Sequence, residues 1–531
     1  MFDYIIVGAG SAGCVLAARL SEDPSVSVCL VEAGQADRSV LIHCPAGLAL
    51  MARQRGINWA FETSPQSGLL GRRGYQPRGR VLGGSSSINA MIYIRGQHSD
   101  YDFWAAQGNP GWSWDEVKPY FLKAEHNERG SDEWHARGGP LNVADLRSPN
   151  PLAAAFVQAG QQAGWPLNPD FNAATQEGVG FYQVTQKNGE RWSAARAYLR
   201  PALDRPNLQV QSGAHVLRVL FDGRRATGIE IQQGGARREL EARREVILSA
   251  GALQSPQILQ LSGVGAGAEL QALGIPVVHD LPAVGQHLHD HLDSIIVLDA
   301  PRMRDSFGVS FGGLAQVARA VFEWRKQRSG MLTTNFAEAG GFIRSQPEEP
   351  APDLQLHFVV GKLADHGRRT LLGHGISCHL CVLRPKSRGR VSLASVDPLA
   401  APLIDPAYLS DPDDVARMVR GVKRMRTLLQ QPALAVYGGR ERHESASAQS
   451  DEQIEAFIRN HADTIYHPVG SCRMGPAENG NVVDARLRVH GLQGLRVVDA
   501  SIMPRITSGN TNAPVIMIAE KAAEMIRSDA A

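Results

Sequence analysis

Residues Gly8-Ala9-Gly10-Ser11-Ala12-Gly13 follow the apolar run "DYIIV" (Asp3–Val7) without a break. "CVLAARLSE" comes next and carries Val15, Leu16 and Leu20 on one helical stripe. "VSVCLVEAG" then reads as a second strand that ends in Glu32 and Ala33, with Glu32 nineteen residues after Gly13. Strand, G-x-G-x-x-G, helix, strand and acid form the pattern of a dinucleotide site. Its glycines let backbone approach a pyrophosphate at a helix N-terminus, and the carboxylate accepts hydrogen bonds from a ribose. The competing reading is a glycine turn that binds nothing. The acid does not choose between NAD and FAD, because both carry an adenosine ribose.

A second stretch, "RGRVLGGSSSINAMIYIRG" (78–96), is too rich in glycine and serine for a core strand and too apolar afterwards for a linker. Arg80, Gly83, Gly84, Ser86, Ser87 and Asn89 supply small side chains and donors where a ring system and its phosphates can lie close. Two further clusters invite a metal. "GQHLHDHLD" offers His287, His289, His291 and Asp290, and strand alternation would set three imidazoles on one face. "SCHLC" spaces Cys378 and Cys381 as C-x-x-C, yet no second ligand pair exists and the stretch reads as a strand with structural thiols. With 17 histidines in the chain, spacing alone selects no proton acceptor.

These groups need a large scaffold. At 531 residues the chain is long for one core and implies two or more domains. Its 55 basic and 53 acidic side chains leave no broad field to attract nucleic acid. Six scattered cysteines make no disulfide framework, so a reducing, cytoplasmic setting is expected. The opening "MFDYIIVGAG" has neither a basic leader nor a cleavage region, and no apolar run approaches the ~18 residues that span a bilayer. There is no internal repeat or low-complexity tract.

"GRVLGGSSSINAMIYIRG" (79–96), "GALQSPQILQLSGVG" (251–265) and "VVDASIMPRITSGNTNAPVIMIAEKAAEMI" (497–526) resemble, in order, the signatures of the glucose–methanol–choline flavin oxidoreductases. Within that family, "GVGFYQVTQKNGERWSAARAYL" and "TIYHPVGSCRMG" look most like bacterial membrane-associated alcohol dehydrogenases, with choline dehydrogenases next. The resemblance implies an α/β fold. A discontinuous Rossmann-like FAD-binding domain would comprise 1–150, 190–295 and 455–531. A substrate-binding domain, 151–189 and 296–454, would be built on a mainly antiparallel sheet. "AHVLRVLF" and "REVILSAGA" fit strands of the first, and "DLQLHFVV", "GISCHLCVLRP" and "GRVSLAS" fit strands of the second.

The same resemblance implies FAD, bound by Gly8, Gly10, Ser11, Ala12, Gly13, Glu32, Ala33, Arg80, Gly83, Gly84, Ser87, Asn89, Ala90, Ile92, Val216, Ala250, Gly251, Asp499, Ala500, Thr511 and Asn512. Relatives that attach FAD covalently use a histidine between the serines and the asparagine; Ile88 stands there, so non-covalent FAD is expected. The family also has a segment similar to "GQHLHDHLD" and needs no metal. Alcohol oxidation requires a base near the hydroxyl, and the resemblance selects His467, with Asn512 as its partner. Asn512 also reads as the N-cap of a helix with Pro514 in its first turn and Glu520 and Lys521 exposed. Glu338 corresponds to a pocket carboxylate that relatives place near cationic substrates.

The implied reaction is oxidation of aliphatic or aromatic primary alcohols, with electrons passed to a quinone or other respiratory-chain acceptor. Choline dehydrogenase and an oxygen-using alcohol oxidase are the alternatives, and a hydroxynitrile lyase of the same fold is the remote one. The amphipathic, basic segment 311–330 is expected to touch the inner face of the cell membrane peripherally.

Overall fold

The computed structural model describes residues 1–530. Two large sheets organise it. In the first, β1 (Phe2–Val7), β2 (Val28–Glu32), β3 (Leu208–Ser212), β4 (Ala214–Asp222), β5 (Arg225–Gln233) and β6 (Ala236–Leu248) run in the order β3-β2-β1-β6-β5-β4. Every residue of β2 and nearly every residue of β1 is buried, as suits strands covered on both faces. The pairs β3–β2, β2–β1 and β1–β6 are parallel, with Val7 opposite Val31 and Leu248, and the short strand Leu495–Val497 adds to β6 in parallel. The first half of β6 instead forms an antiparallel ribbon with β5 and β4. Helix α1 (Ser11–Leu20) connects β1 to β2 and packs against the C-terminal helix Asn512–Ala530.

The second sheet is antiparallel throughout. It contains β7 (Leu292–Asp299), β8 (Ala337–Ile343), β9 (Leu354–Val359) and β10 (Gly375–Val382) in the order β7-β10-β9-β8. Arg440–Glu441 and Asp463–Thr464 pair with β7, and Gly178–Phe181 with β8. Helices α2 (Pro151–Gln162) and α4 (Pro412–Leu429) pack on this sheet, and α3 (Phe311–Gln327) lies apart from it, seated on Cys44, Ala46 and Leu332. Strand alternation sends Leu354, Leu356, Phe358, Ile376, Cys378 and Leu380 into a core with α2 and α4, where Phe156 stacks on Phe358 at 4.7 Å between ring centres. The opposite face carries Asp293, Ile295, Val297, His357, Val359 and His379 and forms one wall of a cavity.

The layout departs from the sequence reading in several places. "GRVSLAS" is a strand (Gly389–Ser392), but it pairs with Gln286–Leu288 and Leu403–Asp405 in a separate small sheet. Asp463–Thr464 belongs to the second sheet although it lies within 455–531, and β7 begins at Leu292, ahead of 296. The six cysteines are all free and buried.

Glu520 and Lys521 are buried, not exposed. The C-terminal helix is packed by α1 on one side and by the helix Trp114–Ala124 on another, so no face is left for solvent at this level. Glu520, with no exposed surface, accepts hydrogen bonds from both Nε and Nη2 of Arg19 at 2.8–3.1 Å and from the Tyr198 hydroxyl at 2.9 Å. Removing one partner of such a pair strands the other charge. Glu520→Ala is expected to lower unfolding stability by about 3 kcal/mol, measurable as an earlier urea midpoint, with Glu520→Gln intermediate.

Candidate active site

A cavity of about 970 Å³ runs from the C-terminal ends of β1 and β2 to the inner face of the second sheet. This is where an open parallel sheet receives its ligand, and the volume lies at the upper end for cofactor sites. Gly8, Gly10, Ser11, Ala12, Glu32, Ala33, Gly84, Asn89, Ala90, Ile92, Val216, Ala250, Gly251, Asp499, Ala500, Thr511 and Asn512 all line it. Gly13, Arg80, Gly83 and Ser87 do not. Gly13 lets α1 sit on β1, because a Cβ there would stand 1.8 Å from the Gly8 carbonyl oxygen. The Arg80 guanidinium stacks over Trp59 at 4.7 Å. Gly83 donates its N–H to Ala9 O at 2.8 Å, and the Ser87 hydroxyl donates to Leu82 O at 2.8 Å. These four shape the wall from behind.

The residues present fit a dinucleotide. At Gly84 (φ +53°) a Cβ would come within 2.6 Å of Gly10 Cα, so the serine-rich loop crosses the G-x-G turn at backbone contact. Glu32 receives the N–H groups of Ala9 and Gly34 at 2.9 and 2.7 Å, which hold it at the strand end, and burial pushes its carboxyl up to about 7. Two helix N-termini converge on the cavity: that of α1 at Gly10–Ala12 and that of the C-terminal helix at Thr511–Asn512. Ser11 Oγ donates to Asn512 Oδ1 at 2.7 Å and ties them together. Both present the positive end of a helix dipole, which favours anionic groups. Ile88 lines the cavity with hydrocarbon only.

His467 lies in the same cavity, buried, where the loop 463–468 passes beneath the second sheet. Asp290 anchors that loop: its Oδ1 accepts the His467 N–H at 2.8 Å, and its Oδ2 accepts the hydroxyls of Thr464 and Tyr408. Arg78 donates to the Tyr466 carbonyl at 2.7 Å and holds Tyr466 in the left-handed region, φ +78°. Such strain persists only where surrounding contacts over-determine it.

The imidazole network assigns the tautomer. His291 Nε2 lies 2.9 Å from Leu383 O, and only an N–H can donate there. Burial lowers the pKa of His291, so the ring is neutral and its Nδ1 is an acceptor. That Nδ1 faces His467 Nδ1 at 3.0 Å, which must therefore carry a proton. His467 Nε2 is left with a lone pair. Burial first, then His291, His357 and Arg78, hold His467 far below the usual histidine range.

The asparagine beside that lone pair is Asn510, whose Nδ2 donates to His467 Nε2 at 3.3 Å. Asn512, expected as the partner, is engaged with Ser11 at the start of the C-terminal helix. The Ser11 hydroxyl claims the Asn512 side chain, whereas Asn510 lies two residues earlier in the loop, within reach of His467. Gln355 Nε2 donates to Asn510 Oδ1 at 3.1 Å and orients that amide. Glu338 lies outside the cavity wall. Its carboxylate accepts the Asn150 N–H at 2.6 Å and the Thr334 hydroxyl, so it joins β8 to the start of α2. The carboxylates that do reach the cavity are Asp293, Asp463, Asp365 and Glu444 beside Glu32 and Asp499.

The three histidines of "GQHLHDHLD" do not share a face. His287 takes φ +63°, which breaks the alternation; His289 accepts the Ile506 N–H at 2.9 Å; and only His291 points to His467. Cys378 and Cys381, three apart in β10, fall on opposite faces. His291, Asp293, His357, His379 and Asn510 were missed from sequence. His291 and Asp290 stood in a motif already singled out, but nothing in their spacing pointed to residue 467.

The family model described as GMC oxidoreductase matches residues 2–293 in its N-terminal part and 385–519 in its C-terminal part. The chain is 52% identical over 529 residues to the alcohol dehydrogenase [acceptor] of Pseudomonas putida, covering 99% of this chain and 96% of that protein. It is 46% identical over 541 residues to the mitochondrial choline dehydrogenase of Homo sapiens, covering 100% and 90%. Among solved structures, pyridoxine 4-oxidase from Mesorbium loti superposes with a TM-score of 0.89 at 33% identity over 99% of both chains. An FAD-dependent oxidoreductase from Chaetomium thermophilum superposes at 0.92 with 28% identity over 100% of both. The cavity between a dinucleotide sheet and an antiparallel sheet, and the full-length similarity, lead to one conclusion: this chain belongs to the GMC oxidoreductase family.

Proposed function

We propose that the protein is an FAD-dependent alcohol dehydrogenase that oxidises primary alcohols to aldehydes, with His467 as general base and Asn510 as its partner. The observation that carries this reading is the chain Leu383 O, His291, His467, which leaves Nε2 of a neutral imidazole unprotonated on the cavity side. Bound FAD supplies an acceptor for the hydride that leaves the alcohol carbon.

A substrate hydroxyl entering between His467 and Asn510 donates to His467 Nε2 and accepts from Asn510 Nδ2, taking the place of the 3.3 Å contact between them. The hydroxyl is thereby oriented with its proton on the base before the carbon–hydrogen bond breaks. The resulting imidazolium is unfavourable in its buried setting, so the proton transfers late and returns readily. The converging helix N-termini stabilise negative charge on the cofactor, by roughly 0.3–2 kcal/mol from a dipole. Hydrocarbon at Ile88 supports non-covalent attachment. The name of the Pseudomonas putida relative specifies an electron acceptor without saying which; for this protein the acceptor proposed is a quinone or another non-oxygen one.

The amphipathic helix α3 supports contact with an anionic bilayer. Its inner side, Gly313, Ala320 and Trp324, is seated on the protein, and Trp324 Nε1 donates to Gly189 O at 2.9 Å. Its outer side leaves Phe311 96%, Phe322 70% and Leu314 61% exposed, next to Arg319, Arg325 and Lys326. Arg328 is committed elsewhere, to Glu190 at 2.9 Å and over the Trp324 ring. Leu50 and Val309, on the cavity's lining, are exposed as well, so apolar surface surrounds its mouth. No helix among the described residues is long and apolar enough to cross a membrane.

Anaerobic mixing of the yellow protein with octanol is expected to bleach its flavin absorbance. His467→Ala should keep the colour and slow bleaching by at least about 100-fold; unchanged bleaching removes His467 as base. Protonation inactivates the base, and its folded pKa lies below the ordinary 6.5, so the rate should hold as pH falls through 6.5 and drop only further into acid. Acid precipitation should release the flavin into the supernatant; colour left in the pellet would contradict non-covalent binding. In co-sedimentation with phosphatidylglycerol vesicles the protein should pellet, and a Phe311→Ser, Phe322→Ser double variant should stay in solution. Equal pelleting of both disposes of the α3 contact.

A further inference from the structure

We propose that the cavity contains a second hydroxyl-recognition site, formed by His357 and His379, that selects primary alcohols carrying an additional hydroxyl near the one oxidised. This rests on the proposed alcohol oxidation and names the substrate class for it.

The site is built by sheet register. His357 on β9 and His379 on β10 are direct register partners, so their rings project side by side into the cavity. Ile295 of β7 pairs with His379, which puts Asp293 one diagonal step away on the same face. Asp293 Oδ2 lies 2.6 Å from His379 Nδ1. A carboxylate oxygen accepts there, so Nδ1 carries the proton and His379 Nε2 turns its other side to the cavity. Asp293 is thus a positioning residue.

The three residues Asp293, His357 and His379 are 3%, 3% and 5% exposed. Despite this burial, Asp293 Oδ1, His379 Nε2 and both ring nitrogens of His357 have no hydrogen-bond partner of proper geometry in the protein. The great majority of buried polar atoms in proteins are paired, so three bare ring nitrogens and a bare carboxylate oxygen facing one cavity call for a partner there. The wall beyond them, Ile295, Val297 and Val359, is hydrocarbon, so these nitrogens and the free Oδ1 of Asp293 are the polar contacts of this face.

The donor and acceptor count selects the ligand. Burial keeps His357 neutral, at about 3, so its ring offers one N–H and one lone pair. His379 Nε2 adds a lone pair. A hydroxyl matches this pair, donating to His379 and accepting from His357. A carboxylate only accepts, and a quaternary ammonium does neither. The Asn510 side chain lies close to His357, and Asn510 contacts His467. The second hydroxyl therefore sits a short chain away from the reacting one.

The test is the anaerobic flavin reduction of the holoenzyme by butan-1-ol and by butane-1,2-, 1,3- and 1,4-diol, expressed as the diol to mono-alcohol ratio of kcat/KM. The wild-type protein should prefer at least one diol. His357→Phe and, independently, His379→Phe should lower that ratio about tenfold or more, because a buried partner is lost. His357→Asn, which keeps a donor and an acceptor, should recover part of it. The retained visible spectrum reports folding, and either phenylalanine variant suffices if the other does not fold. A wild-type ratio near one, or a ratio that both phenylalanine variants leave intact, overturns the site while alcohol oxidation stands. Choline outpacing every diol, with loss of that preference in Asp293→Asn, overturns the hydroxyl assignment in favour of a cation. Failure of every alcohol to bleach the flavin removes the underlying reading and the site with it.

Discussion

An imidazole can receive a proton only if the correct nitrogen is bare, and in this protein that condition is met by one dipeptide. Asp290 holds the backbone of His467 and His291 holds its ring. The carbonyl of Leu383 fixes the His291 tautomer, and the choice passes through to His467 Nε2. Each link is a hydrogen bond in a buried setting, where an unmade bond is costly and the wrong tautomer correspondingly disfavoured. The arrangement orders the His467 ring without a carboxylate hydrogen-bonded to it. Burial, with His291, His357 and Arg78 nearby, keeps the resting ring neutral.

The anchor also joins the two sheets. Asp290 and His291 immediately precede β7, and the loop bearing His467 pairs with β7 through Asp463–Thr464 before returning to the C-terminal segment under the first sheet. His467, the proposed base, is therefore held by the antiparallel sheet while its chain leads to the helix whose N-terminus meets α1. Cofactor wall and substrate wall are registered to one another through a few buried side chains. Hydrogen bonds from buried side chains pin the loops that carry His467 and Asn510, which suits a reaction sensitive to ångström displacements.

The nucleotide half was the more legible. Its glycines, apolar strands and terminal acid are local in sequence, and local steric demands leave few other folds for them. The signature of the serine-rich loop also placed Gly84, Asn89, Ala90 and Ile92 on the cavity wall. The substrate half was opaque. His357, His379 and Asp293 sit on strands whose cavity-facing side chains are ordinary in type and distant in sequence, so no spacing marks them. Asn510 and Asn512 are two residues apart and identical in type, and which one meets His467 is settled by the fold, which sets Asn512 against Ser11 instead. Glu338 looked like a pocket acid because its type matched, yet its strand turns it away to bond Asn150.

What the amino-acid order determined by itself was the β1–α1–β2 unit, its dinucleotide chemistry, the family and the presence of a histidine at 467. These rest on contacts within some thirty residues or on whole motifs, where steric rules act directly. Tertiary structure alone decided the tautomer of His467, the identity of its asparagine, the burial of Glu520 and the polar cluster on the second sheet. Each depends on groups brought together from segments tens to hundreds of residues apart. Desolvation and hydrogen-bond pairing are properties of that assembled interior and have no counterpart in the extended chain.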